Sequence, residues 1–107
     1  DFNGDGETDL LWRNYGTGPY QGLNVVWHMN NATFMGEDVF SAITDTAWEI
    51  VGAGDFNKDG QTDILWRYYG VGAYQGLNDI WYMQGTAFVR EEVFSVVPDL
   101  NWKIVNR

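Results

Sequence analysis

Asp55-Phe56-Asn57-Lys58-Asp59-Gly60-Gln61-Thr62-Asp63, running straight into Ile64-Leu65-Trp66, is the segment from which the architecture can be worked out. It recurs as Asp1-Phe2-Asn3-Gly4-Asp5-Gly6-Glu7-Thr8-Asp9 before Leu10-Leu11-Trp12, and the offset of 54 then aligns the rest of the chain without a gap. Trp12-Arg13 answers Trp66-Arg67, Tyr20 to Asn24 answers Tyr74 to Asn78, and Trp27, Val39-Phe40-Ser41 and Trp48 all have counterparts. More than half of the aligned positions are identical, so the chain is an internal duplication. Copies this close do not reveal by their identity which residues function.

Outward from that loop, each copy contains four short runs of β-type sequence separated by Gly, Asn and Asp clusters. In the first copy these are Thr8 to Arg13, Leu23 to Met29, Phe34 to Ser41 and Trp48 to Ala53. Leu23, Val25, Trp27 and Met29 alternate with bulky Val26 and His28, so both faces of the strand require cover. A unit of about fifty residues with four such strands is expected to stack radially as a propeller blade. The alternative, a two-sheet sandwich, wants one polar face per strand. The fold class read here is all-β, a β-propeller with two four-stranded blades per chain.

Composition agrees with a packed core and narrows the partners. The 107 residues are 45% hydrophobic and 17% aromatic, without cysteine for disulfides or thiolate metal sites. No run of eighteen apolar residues occurs and no signal peptide opens the chain, so a soluble, trimmed segment without membrane insertion is expected. Fifteen acids against six bases give a net charge of −9, which repels nucleic acid and draws divalent cations wherever carboxylates converge.

The carboxylates converge in the repeated loop. Calcium takes six to eight oxygens, and alternate residues of a tight loop turn carboxylates and an amide inward while glycine allows the sharp turn. The expected ligands are Asp1, Asn3, Asp5 and Asp9 with the Glu7 carbonyl, and Asp55, Asn57, Asp59 and Asp63 with the Gln61 carbonyl. An EF-hand would instead need Glu at the twelfth position, where Trp12 and Trp66 stand. An Asx-rich turn held by its own backbone bonds is the plainer alternative, but three aspartates within nine residues, twice over, call for a cation. Magnesium, reluctant to shed its waters, fits less well.

The string Gly-x-Gly-Asp-Phe-Asn-x-Asp-Gly-x-x-Asp-Ile-Leu-Trp, at Gly52 to Trp66, resembles the FG-GAP or VCBS repeat. The resemblance covers both copies and implies a loop that binds Ca2+ between the first two strands of a blade, as in integrin α-subunit propellers and propeller lectins. It implies a secreted or cell-surface setting. Members of that family usually carry several more blades in one chain than the two found here.

Two loops at the other end of the blades, Gly16 to Gly22 and Gly70 to Gly76, each lead into Leu-Asn after Tyr-Gln. With Arg13, Tyr20, Gln21, Asn24 and Trp48, and their copies Arg67, Tyr74, Gln75, Asn78 and Trp102, they are expected to line a ligand groove between blades. Rings that stack on a sugar and amides that bond its hydroxyls suit glycans, in the manner of the lectins the sequence resembles. The same Tyr and Trp residues suit packing between blades equally well. No catalytic residue is identified: His28 is Tyr82 in the other copy, no cysteine is present, and Ser41 and Ser95 have no motif around them. Asn31-Ala32-Thr33 fits a glycosylation sequon and carries no argument alone. The expected role is binding, adhesion or assembly and not enzymatic, with a purely structural, ligand-free building block as the alternative.

Assembly follows from the phase of the repeat. Residues 1–54 form a first blade lacking its own first strand, because Trp48 to Ala53 serves the second blade, residues 55–107. The copy of that strand at 101–107 is expected to be donated to the first blade of a neighbouring chain. Closing the circle with two blades per chain requires three chains for six blades or four for eight.

Overall fold

The computed structural model describes residues 1–105. Seven antiparallel strands and no helix appear among them: β1 (Leu10–Arg13), β2 (Asn24–Asn30), β3 (Thr33–Phe40), β4 (Trp48–Gly54), β5 (Asp63–Tyr68), β6 (Leu77–Gln84) and β7 (Ala87–Val96). They form a three-stranded meander β1-β2-β3 and a four-stranded meander β4-β5-β6-β7, as expected of two consecutive blades of which the first lacks a strand. Corresponding strands share their register: Trp12 lies opposite Val25 in the first blade, and Trp66 lies opposite Asp79 in the second. Both blades also break register close to the outer hairpin turn, between His28 and Met29 and between Tyr82 and Met83.

The first strand begins at Leu10 rather than Thr8. The Asp9 carboxylate accepts from the backbone N–H groups of Phe2 at 2.8 Å and Met29 at 3.1 Å, but Asp63 accepts the equivalent pair and still opens β5, because Gly54 of β4 pairs with it and β1 has no such neighbour. The expected strand over 101–107 joins neither sheet across its described part, residues 101–105, and residues 106–107 lie outside the described residues.

The core is the contact between the blades. Val26 and Phe40 from the first blade, with Phe2 from its loop, meet Ile64, Trp66, Trp81 and Met83 from the second, flanked by Leu11, Ile43, Trp48 and Ile50. Fully burying one large apolar side chain contributes about 1.5–3 kcal/mol. Each blade therefore offers one face here and keeps the other, and repeat-related residues differ sharply in consequence. Trp66 is 1% exposed and its counterpart Trp12 is 49% exposed. In the opposite sense, Phe40 is 7% exposed and Phe94 is 49%, while Phe2 is 5% exposed and Phe56 is 44%.

Candidate metal loops and the opposite rim

The loop from Asp55 to Asp63 connects β4 to β5. Gly60 adopts a left-handed backbone (φ 85°), and so does Lys58 (φ 63°), where the first copy has Gly4. This coiling turns successive amides inward: Asp59 N–H donates to Asp55 Oδ1 at 3.1 Å, Gly60 N–H to Asp55 Oδ2 at 2.8 Å, and Gln61 N–H to Asp59 Oδ1 at 2.9 Å. Asp63, fully buried at the mouth of β5, accepts from Phe56 N–H at 3.0 Å and Met83 N–H at 3.0 Å. Carboxylate oxygens of Asp55, Asp59 and Asp63 come within 4.8 Å of one another.

Three carboxylates so close repel unless a cation lies among them, and each oxygen that accepts one amide keeps a lone pair for a metal. The donors are all hard oxygens, with the Asn57 amide beside them, which fits calcium and not a soft metal. Gln61, expected to offer its backbone carbonyl, also uses its side chain, whose Oε1 accepts from Gly85 N–H at 2.8 Å and ties the loop to the β6–β7 turn.

The first loop repeats this pattern with local differences. Asp1 accepts from Gly4, Asp5 and Gly6 N–H groups at 2.8, 3.2 and 2.8 Å, and Asp5 Oδ1 accepts from Glu7 N–H at 2.8 Å. Asn3 Oδ1 accepts from Asp5 N–H at 3.2 Å, as Asn57 does from Asp59 N–H at 3.3 Å. Among the described residues, the three-acid grouping is met in the second loop; Asp1, Asp5 and Asp9 stand further apart. Asp9 also has a neighbour that Asp63 lacks, His28 Nδ1 at 3.4 Å, whose Nε2 lies 2.8 Å from Asp38. Burial pushes the Asp9 carboxyl up, but the amides of Phe2 and Met29 and the imidazole outweigh it and hold it below the ordinary value. Tyr82 occupies the position of His28 in the second blade, bonding Glu92 at 3.1 Å instead. That exchange is visible in the repeat alignment, but its contact with Asp9 depends on the β1–β2 register. The two loops are joined directly, with Thr62 Oγ1 donating to the Asp1 carbonyl at 2.8 Å.

At the opposite rim the expected groove residues divide into those that hold backbone and those that stay open. Arg13 donates to the carbonyls of Trp48 (3.0 Å), Gly22 (2.9 Å), Ile43 (2.8 Å) and Asp45 (3.2 Å), and to Asn24 Oδ1 (3.0 Å). Buried Arg67 does the same for Gly76 (3.0 Å), Val97 (3.0 Å), Asp99 (3.3 Å) and Asn78 Oδ1 (2.9 Å). Asn24 and Asn78 donate onward to the Ser41 carbonyl and Ser95 Oγ, and Gln21 and Gln75 donate to the carbonyls of Thr44 and Pro98 at 2.9 Å each. These polar side chains satisfy the connections that return from β3 and β7. Tyr20, Tyr74 and Trp102 stay exposed, while Trp48 packs edge-on to Tyr68.

The family model described as FG-GAP-like repeat matches residues 1–66, which takes in both acidic loops and the whole of the first blade. No curated protein and no solved structure matches the chain.

Proposed function

The chain belongs to the FG-GAP-like repeat family, and from that premise we propose that it is a calcium-held pair of propeller blades that stacks on further copies of itself and acts by binding, not catalysis. Calcium would be held by Asp55, Asn57, Asp59 and Asp63 with the Gln61 carbonyl, and by Asp1, Asn3, Asp5 and Asp9 with the Glu7 carbonyl. Its charge would offset the clustered carboxylates and fix the turn that sets one strand beside the next.

Reciprocal burial carries the stacking. The face of the second blade that bears Trp66 is covered by the face of the first that bears Phe40; the equivalent faces, bearing Trp12 and Phe94, are open. The open pair is therefore a second edition of the contact already made inside the chain, and a head-to-tail contact between identical copies closes into a ring when its rotation allows. The register of the rim supports the same arrangement. Arg13 Nε meets the Trp48 carbonyl, whereas Arg67 Nε has no partner and Trp102 to Val105 joins no sheet. Donation of that segment to a neighbouring first blade supplies its missing strand, giving six blades from three chains or eight from four.

A complementation experiment tests this reading. Trp12→Arg spoils one open face and Phe94→Arg the other, so each variant alone is expected to be monomeric. An equimolar mixture is expected to form a one-to-one dimer through the two intact faces. Dimers absent from the mixture, or present in either variant alone, would contradict the stacking. The exposed Tyr20, Tyr74 and Trp102 rings suit glycan ligands at the rim, which a sugar titration followed by tryptophan fluorescence tests.

A further inference from the structure

The second blade differs from the first at one inward-facing position that the repeat itself marks as anomalous. Asp79 stands where the first blade has Val25, on the row that places it opposite Trp66. It is 4% exposed, and its Oδ1 has no hydrogen-bond partner. The indole N–H of Trp66, just as buried, also lacks one. Both residues line a cavity of about 140 Å3 whose other walls are Ile43, Trp48, Trp81 and Glu91. A space of this order accommodates a group the size of a benzene ring.

The chemistry of the lining selects what fits. Burial and neighbouring Glu91 push the Asp79 carboxyl up to about 7, against the Ile80 and Glu92 amides, which lower it. Above that range, a buried carboxylate oxygen needs a donor that the protein does not supply. Arg13 stacks 4.9 Å from the centre of the Trp66 ring, but the acids that act on it are Asp45 and Glu49, so it does not offset Asp79. Glu91 is exposed and solvated at the cavity edge, which leaves the buried Asp79 carboxylate as the one charge for a monocation to meet. Indole rings attract organic cations and offer nothing to a hard metal ion that wants six oxygens.

We propose that this cavity binds a short primary ammonium with a neighbouring hydroxyl, the ammonium donating to Asp79 and Glu91 among the three indoles and the hydroxyl accepting from Trp66 Nε1. In the first blade, whose equivalent face is open, Val25 stands in place of Asp79 and Glu37 accepts from Trp27 Nε1 at 3.2 Å.

The test is a titration of the full chain, in calcium at pH 8, with ethanolamine hydrochloride, read from the indole N–H resonances in a 15N-correlated spectrum. One saturable transition that moves the Trp66 indole signal is expected, with Asp79→Asn at least tenfold weaker. Asp79→Val, which installs the residue the first blade already tolerates, is expected to keep the folded spectrum and lose the transition. Ethylene glycol is expected to bind at least tenfold more weakly than ethanolamine. Equal or tighter binding of ethylene glycol would overturn the proposal in favour of a neutral polyol, and an unchanged midpoint in Asp79→Val would place binding elsewhere and overturn it. Absence of saturation by ~100 mM, well above the ~1 mM reachable by so small a ligand, would also overturn it.

Discussion

Arg13 Nε donates to the carbonyl of Trp48 across 3.0 Å, and by that bond the last residue of β1 in one blade holds the first residue of β4 in the next. The remaining guanidinium donors go to Gly22, Ile43 and Asp45 carbonyls and to Asn24, so a single side chain sets how the chain leaves one blade and enters another.

Arg13→Lys should therefore be far from conservative. A lysine ammonium lacks the planar fork, and the carbonyls it abandons are partly buried. Each orphaned group costs about 1–3 kcal/mol, and a total loss of about 2–4 kcal/mol is expected in urea unfolding. A midpoint equal to that of the unaltered chain would show that water replaces the fork without loss.

Calcium should raise stability through both loops. At a hundred times the dissociation constant each site adds about 2.7 kcal/mol, equivalent to a rise in Tm of about 10–20 °C for a domain of this size. Asp59→Ala is expected to remove most of the second loop's share and Asp5→Ala that of the first, measured as the difference in Tm between calcium and chelator. Equal melting curves in the two conditions would contradict metal binding.

The repeat and the strand order are legible in the sequence because they depend on periodicity and on turn residues, which are local. The acidic loops are legible for the same reason. What Arg13, Asn24 and Gln21 do is less so: polar residues beside exposed aromatics have the composition of a ligand groove, and only the returning β3–β4 connection shows that carbonyls already occupy them. Asp79 leaves a trace, an acid on an inward row where the other copy has valine, but its significance needs the Trp66 register and the cavity beside it. The start of β1 shifts by two residues because no strand pairs with Asp9 as Gly54 of β4 pairs with Asp63, an edge effect that propensity does not encode.

Acid and base should act on the calcium-free chain in opposite ways at two carboxyls. Asp79 is raised from 3.8 to about 7 by burial and Glu91. Below about 3.8 it is protonated in both folded and unfolded chains and has no effect; between there and about 7 the unfolded chain has released the proton that the folded chain retains. Its contribution thus makes stability fall as pH rises through that window, then level off. Asp9 is lowered by its amide partners despite burial, so its share is present above 3.8 and lost as pH falls below. Subtracting the Asp79→Val profile from that of the unaltered chain in chelator isolates the first effect, and a difference that is flat from pH 4 to 7 would contradict it.

Whether the two open faces meet in solution is decided by light scattering on the unaltered chain, in millimolar calcium and again in chelator. Because the Trp12 and Phe94 faces repeat a contact already made within the chain, one discrete species of three or four chains is expected in calcium, dissociating when the loops lose their metal. A well-folded monomer in calcium, with both apolar faces open to water, would contradict ring closure.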